Sequence, residues 1–568
     1  MKYFFGLLGG LTLTVALIAA DEKKPFFSDI THQAGINYRH TNREFHNPYA
    51  KIMAGYTALG AAVAVGDYDN DGYDDIFATE SAEGAKNHLY HNDHNLKFTD
   101  VAESAGLANG NTGDNATADA LWFDFNNDGL RDLLIVKFGH NQLFQNLGNG
   151  KFKDVTVAAG IDRYANSITA IAFDYDRDGF VDLFVGNYFQ GVNLFNPNTP
   201  RFFPESFETA NNGGGVTVWH NNHNGTFTDA TQKAGLASSG WVLDLGHADA
   251  DNDGDDDLYV ACDFGTDRFF RNNGDGTFTD ITESAVGIDT KKGMNVEWGD
   301  YDEDGKLDIY ITNITGDYMR EGNFLWHNDG NLKFSDVARE TGTYDTGWGW
   351  GAKFIDYDND GWRDLYVVNG WVSAGSDSYV PDIFEMITKP GIDFADARNW
   401  PPMGNKSLSG YEKKRLFHNE RGQIFKDEAA LHGVDSTRDG RGIGVADFDN
   451  DGRLDMFVAN ANNEPFLYHN VGPTDRHWVQ LDLIGTKSNR LATGAQVRLT
   501  AGGRTFLQFV DGGNSFAGQS MHRLHYGLGS INKIDRAEVR WPSGATEVFT
   551  DLPVDRLTRI QEGTSKKQ

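Results

Sequence analysis

The sequence predicts an all-β chain: a seven-bladed β-propeller followed by a small β domain. Three observations predict it. A nine-residue acidic loop recurs seven times, each copy between two short apolar runs. Each loop is followed by a run ending in a pair such as His91-Asn92, then a Gly/Asn turn and a Phe-x-Asp run. Glycine is abundant, at 66 residues, and aromatics reach 13%, as expected of a sheet protein with many turns.

The loops carry acids at positions 1, 3, 5 and 9 and Gly at 6. The first is Asp67, Asp69, Asp71 and Asp75, with Tyr73 at position 7. The second is Asp124, Asn126, Asp128 and Asp132 with Leu130, where Asn126 alone departs from Asp at position 3. Then come Asp174, Asp176, Asp178 and Asp182 with Phe180, and Asp249, Asp251, Asp253 and Asp257 with Asp255. The last three are Asp300, Asp302, Asp304 and Asp308 with Lys306; Asp356, Asp358, Asp360 and Asp364 with Trp362; and Asp447, Asp449, Asp451 and Asp455 with Arg453.

Alternate residues of a tight loop point at one spot. Hard cations such as Ca²⁺ take six to eight oxygens at roughly 2.3–2.6 Å. Positions 1, 3, 5 and 9 offer side-chain oxygens and position 7 a backbone carbonyl; Gly at 6 permits the bend. The spacing predicts up to seven Ca²⁺. An EF-hand is a poor fit, because its twelfth-position Glu is replaced by Ala78, Ile135, Val185, Val260, Ile311, Val367 and Val458. Those residues predict a strand after the loop rather than a helix.

The chain has 568 residues and a formal net charge of −32. With no cluster of Lys and Arg to displace counterions, nucleic acid is excluded as a partner. Cys262 is the one cysteine, so no internal disulfide forms. Residues 1–20 read as a secretory signal: Lys2, an apolar core, then small residues to Ala20 before Asp21. The alternative is an uncleaved anchor, since a run of ~18 apolar residues can span a bilayer. A membrane enters only in that case. Either way the expected location is secreted, periplasmic or cell-surface.

The loops start 57, 50, 75, 51, 56 and 91 residues apart, which marks repeats with insertions. The propeller is placed at 26–475 and the small β domain at 477–562. The seventh repeat lacks a Phe-x-Asp run after His469-Asn470, while Phe27-Ser28-Asp29 supplies one at the other end. Residues 26–36 are therefore expected to close the last blade and cover its edge. In the small domain, Trp478–Ile484, Gln496–Thr500, Thr505–Val510 and Ala537–Trp541 alternate as strands. The Gly-rich Asp511–Gly518 reads as a structural turn.

Here a resemblance becomes specific. The strand–loop alternation resembles the FG-GAP/VCBS repeats of the integrin α-subunit propeller. Gly494-Ala495-Gln496-Val497, His525-Tyr526-Gly527-Leu528-Gly529 and Arg540-Trp541-Pro542-Ser543-Gly544 resemble the ASPIC/UnbV domain. Together they are similar to the cartilage acidic protein 1 family and its bacterial relatives. The resemblance implies a secreted calcium-binding propeller with a C-terminal domain, and no settled biochemical activity.

Two insertions, 188–217 and 370–415, fall on the face opposite the acidic loops. They carry Arg201, Phe202, Phe203, Trp371, Tyr379 and Trp400. Long loops on a rigid scaffold often hold binding sites, so a protein or glycan partner is expected there. A ring of strand-end residues, Glu80, Lys137, Asn187, Cys262, Asn313, Asn369 and Asn460, either caps backbone groups or lines a pocket mouth. Asp244, Glu297 and Lys353 on first strands are the candidates for acid–base or lyase chemistry in a rival, enzymatic reading. A Lys353–Glu297 salt bridge is the structural alternative. The histidines preceding the Asn pairs, His91, His220, His327, His418 and His469, read as packing and turn residues.

Overall fold

A computed structural model of the chain describes residues 24–57, 60–316, 318–393 and 396–565. The N-terminal signal, 1–20, lies outside these residues. Among the described residues no helix is long and apolar enough to cross a membrane.

The fold is all-β and propeller-type. Each acidic repeat forms a four-stranded antiparallel unit. In the first, Val63–Gly66, Asp75–Ala78, His88–Asn92 and Phe98–Asp100 pair in chain order. In the seventh, Gly440–Ala446, Asp455–Asn460 and Phe466–Asn470 are followed at the edge by Phe27–Asp29, with Phe27 opposite Asn470. The second and third units are also joined through Tyr164–Asn166 and Phe138–His140.

Second strands are buried on both faces and so read as continuous apolar runs: Leu133, Leu134, Ile135 and Val136 are all fully buried. One set of their side chains meets the unit before, the other the unit after. Leu134 and Val136 share a core with Ala170, Ala172 and Leu183 of the third unit. Val63, Val65 and Ile76 of the first unit share one with Ala446 and Phe457 of the seventh. First strands contact one another in cyclic order, last to first.

The Asn of each His-Asn pair fastens neighbours together. Asn92 Nδ2 donates to the Asp74 carbonyl at 3.1 Å and to the Phe448 carbonyl, in the seventh loop, at 2.9 Å. Asn146 reaches Tyr68 (2.8 Å), Asn221 Phe125 (2.7 Å) and Asn272 Tyr175 (2.9 Å). Asn328 reaches Ala250 (2.9 Å), Asn419 Tyr301 (2.8 Å) and Asn470 Tyr357 (2.7 Å). Apart from Asp74, which belongs to the same unit, every acceptor is the second residue of the preceding acidic loop. A polar side chain at the end of a buried strand is thereby satisfied across a unit boundary.

The C-terminal region has its own core, including Val479, Leu481, Val497, Leu499, Val539 and Trp541. It lies over the acidic-loop face and sets basic groups on it. Arg498 Nη2 donates to Asn252 (2.6 Å), Arg504 Nε to Glu303 (3.0 Å) and Arg523 Nη1 to Asn450 (2.7 Å).

From this region the stretch 512–521 enters the axis of the ring. The sequence reads it as a Gly-rich turn; it is a plug that touches all seven units. Val63 N–H donates to the Ala517 carbonyl (3.0 Å) and Trp122 N–H to Gln519 Oε1 (2.8 Å). Ala172 N–H meets Gly512 O (2.9 Å), and His247 N–H meets Asn514 Oδ1 (2.9 Å). Ser515 N–H donates to Val296 O (3.0 Å), Ser515 Oγ to Ala352 O (2.9 Å) and Met521 N–H to Val445 O (2.8 Å). Glycine is needed where the plug meets backbone: a Cβ on Gly512 would sit 1.9 Å from Ala172 O.

Candidate metal loops and channel cavity

The acidic loops share one backbone shape. Position 4 is left-handed in all seven, with φ of 60° at Asn70, 62° at Asn127 and 58° at Arg177, and Gly at position 6 is also positive, 94° at Gly72. That shape turns amide groups back onto position 1. Asp67 accepts from Asp71 N–H (3.1 Å) and Gly72 N–H (3.0 Å). Position 9 has a further task. Asp75 accepts from Asn92 N–H (2.8 Å) and Tyr68 N–H (3.2 Å), so it holds the loop and the third strand together.

In five loops the carboxylates converge with the histidine of the same unit: Asp69, Asp71 and His91; Asp176, Asp178 and His220; Asp302, Asp304 and His327; Asp358, Asp360 and His418; Asp449, Asp455 and His469. The histidines do not meet one another, as the sequence implies. Each instead reaches its own loop, which a packing-and-turn role does not anticipate. His220 Nδ1 lies 3.1 Å from Asp182 and 3.5 Å from Asp176. The neighbouring carboxylates raise His91 and His327 to about 9, Asp75 and Asp308 respectively contributing most. The second and fourth units differ, with Gln145 and Arg271 at this place.

The residues fit a cation. Buried carboxylate oxygens stand without a hydrogen-bond partner among the described residues: Asp176 Oδ1, Asp182 Oδ2, Asp300 Oδ1 and Asp449 Oδ1. Burial, then the Asp308, Asp302 and Asp304 carboxylates, raise Asp300 to about 8. Burial likewise raises Asp132 to about 8 and Asp182 to about 7. A divalent ion in such a loop would relieve both the repulsion and the missing oxygen partners. The fourth loop is neutralised differently. Arg271 lies 3.2 Å from Asp251 and 3.0 Å from Asp253, Arg177 lies 2.6 Å from Asp255, and Arg540 pairs with Asp249.

Of the three acid–base candidates, the structure brings two into direct contact. Lys353 Nζ is 3.3 Å from Glu297 Oε2 and 2.6 Å from the Asn514 carbonyl of the plug. Glu297 Oε1 accepts from Phe354 N–H at 3.1 Å. Asp244 stands apart, accepting from Val296 N–H (2.7 Å) and Thr169 Oγ1 (3.1 Å), with burial raising it to about 8. Beside the pair, a cavity of about 100 Å³ is enclosed with Asp511, His522, Arg523 and His525 of the C-terminal region. It has room for a few waters at about 30 Å³ each.

Several strand-end residues cap backbone. Asn187 donates to Gly215 O (3.1 Å), Asn369 to Thr346 O (2.7 Å) and Asn460 to Glu464 O (2.9 Å). Lys137 donates to Gly110 O (3.0 Å), and burial lowers it to about 8. Glu80 accepts from Thr41 N–H (2.9 Å). Cys262 is buried.

At the other mouth of the channel lies a cavity of about 370 Å³. Its walls are the ends of central strands, Leu243, Trp348 and Trp350, and the insertion residues Phe207, Trp371, Trp400 and Leu408. Its rim includes the helix Val380–Thr388, which contributes Ile383, Phe384, Met386 and Ile387. Pro381 at the first helical turn and the 3.6-residue spacing of these apolar positions make that segment a helix. Trp350 packs on Phe516 of the plug, ring centroids 5.3 Å apart, so the plug backs the cavity. Of its eighteen lining residues only Asp263 and Lys292 are charged. Sequence reasoning found Trp371 and Trp400 but missed Trp348, Trp350 and the helix, whose apolar period was the available signal.

Comparison with known proteins accords with this architecture. The FG-GAP-like repeat model matches residues 124–185, 207–260 and 249–311, the FG-GAP repeat model 59–92, and ASPIC and UnbV 485–567. The chain is 26% identical over 420 residues to cartilage acidic protein 1 of Xenopus tropicalis, covering 71% of this chain and 56% of that protein. It is 25% identical over 300 residues to cartilage acidic protein 1 of Homo sapiens, covering 51% and 39%. The matches thus span about half or less of those relatives' length. Similar solved structures include an Agrocybe aegerita lectin that recognises non-reducing terminal N-acetylglucosamine, at TM-score 0.36, 15% identity and coverage of 71% of this chain and 87% of that one. Rhamnogalacturonan lyase YesW is similar at TM-score 0.36 and 13% identity, covering 73% and 72%. Likenesses this weak do not inform the site. The chain is an FG-GAP-repeat protein with a C-terminal ASPIC/UnbV region, related to cartilage acidic protein 1.

Proposed function

We propose that this chain is an exported, calcium-loaded interaction module that takes its partner through the insertion face. The observation that carries the reading is the apolar cavity, backed by the plug and open toward the insertions. Phe384 and Ile387 stand half-exposed at its rim. Burying the apolar surface of one partner group about the size of a Leu or Phe side chain there contributes about 1.5–3 kcal/mol. A glycan suits these walls less than an apolar group does, because its hydroxyls would leave water without replacement partners.

Calcium in the acidic loops would hold the ring together. The orphaned carboxylate oxygens and the converging Asp pairs support this, and the FG-GAP matches accord with it. A site at tenfold its Kd in free Ca²⁺ adds about 1.4 kcal/mol by linkage. The apolar N-terminal segment supports export. The test is metal analysis of the purified chain with thermal melts before and after chelation. Bound calcium and a melting point lowered by chelator are expected. A metal-free chain whose melt ignores both calcium and chelator would overturn the calcium reading. Zinc or manganese in place of calcium would reassign the Asp-Asp-His clusters.

A further inference from the structure

We propose that the cavity receives a cation whose charge is spread over apolar substituents, a quaternary ammonium group in its simplest form. The inference rests on the insertion face being the ligand face and names what that face takes.

The walls are aromatic on several sides. Trp348 and Trp371 have ring centroids 4.2 Å apart, and Tyr318 lies 6.2 Å from Trp348. Phe264 stands 5.6 Å from Trp241 and 5.4 Å from Phe207. Ring faces carry negative potential and attract cations, most strongly when both are out of water.

The charges point the same way. Asp263 lines the cavity, with the Tyr188 hydroxyl donating to its carboxylate. Among the described residues no Lys, Arg or His forms an ion pair with it. Burial pushes Asp263 up to about 6, while the Tyr188 hydrogen bond and the Lys292 charge favour its ionised form. Lys292, the other charged lining group, is engaged: its Nζ lies 3.1 Å from Glu321 Oε1 and 3.1 Å from Thr290 O. Asp263, Lys292 and Glu321 sum to one negative charge. Arg441 lies behind Trp350, 4.5 Å from its ring, on the carbonyls of Gly370, Gly440 and Trp371, and is not a lining residue. The Asp439 carboxylate is the opposite charge that acts on it.

Three other ligand classes fit less well. A primary ammonium brings three N–H groups and a guanidinium five, of which Asp263 could accept some and the apolar walls would leave the rest unpaired. A carboxylate would face Asp263, with Lys292 already held by Glu321. A neutral apolar group would desolvate Asp263 and leave only the Tyr188 hydroxyl and the Glu321-paired Lys292 to offset its charge. A quaternary ammonium has no N–H to satisfy and supplies the missing charge. The volume, about 370 Å³, lies in the usual range for small-ligand sites, about 300–1,000 Å³.

The experiment titrates the full chain in calcium with choline, with its uncharged isostere 3,3-dimethylbutan-1-ol, and with decanoate, read by calorimetry and tryptophan fluorescence. Choline should bind at least about tenfold tighter than the isostere. Asp263→Asn should erase most of that ratio while leaving isostere affinity in place, and Trp371→Leu should weaken both. Near-UV dichroism checks the variants, and the choline–isostere ratio of the unmodified chain stands without them. Isostere or decanoate binding as tightly as choline overturns the charge assignment alone. Choline affinity retained in Asp263→Asn overturns the role of Asp263. Binding of none of the three overturns this inference together with the cavity's role as ligand site, and leaves the calcium reading standing.

Discussion

Replacing Phe516 by alanine should destabilise the chain by about 3–5 kcal/mol. Phe516 is fully buried at the axis of the ring, against Trp350. The substitution leaves the plug's main-chain bonds available, including Ser515 N–H to Val296 and Ala517 O from Val63. The loss is therefore the transfer of one aromatic ring plus the hole it leaves. The surrounding first strands are fixed by their own sheets and cannot close inward, which places the cost toward the top of that range. Against a total of roughly 5–15 kcal/mol for a folded domain this is a large fraction. The assay is equilibrium urea unfolding in saturating calcium, followed by far-UV dichroism and tryptophan fluorescence. Both probes should shift to a lower midpoint together, with the m-value unchanged, because the plug ties the C-terminal core to the ring. A loss under about 1 kcal/mol, or a C-terminal region unfolding at the unmodified midpoint, would refute the reasoning.

Two further outcomes are expected. The fourth loop should take no divalent ion, because Arg271 sits between Asp251 and Asp253 and Arg540 pairs with Asp249; Arg271→His combined with Arg540→Gln should raise bound calcium by one per chain, and an unchanged count in metal analysis argues against it. Burial raises Glu80 to about 8, so the folded state holds its proton more tightly than the unfolded chain does. Its contribution is full below the unfolded value near 4.5 and is lost as pH rises through about 8. Glu80→Gln should therefore flatten stability between about pH 5 and pH 8 and exceed the unmodified chain by at least about 1 kcal/mol at the upper end. An unaltered pH slope in thermal melts would count against that account.

The acidic loops were legible because their chemistry is local: alternate acids, a bend and an apolar run all fall within a dozen residues. The strand order followed from the same register. The plug was not legible. Gly512, Gly513, Asn514 and Ser515 make a good solvent turn, and the same small polar residues suit a dry axis where backbone groups of seven strands need partners. Composition cannot separate the two settings. The histidines were misread for a related reason. His91 is sixteen residues from Asp75, and only the hairpin that pairs Ile76 with Tyr90 brings them to 3.3 Å. Nothing in the local sequence singles out Asp263, since its place in the cavity depends on Tyr188 and on an insertion far along the chain.

The fastening of the first repeat to the last has a consequence in time. Phe27–Asp29 and Asn92 emerge early in synthesis, yet their partners are Phe466–Asn470 and Phe448, and the axis is filled by residues 512–521. Domains ordinarily fold as they leave the ribosome. Here the circle stays open until nearly the whole polypeptide has been made. A nascent chain waiting in extended form has no finished ring to dismantle, and threading it through a narrow pore sacrifices none of the final closure.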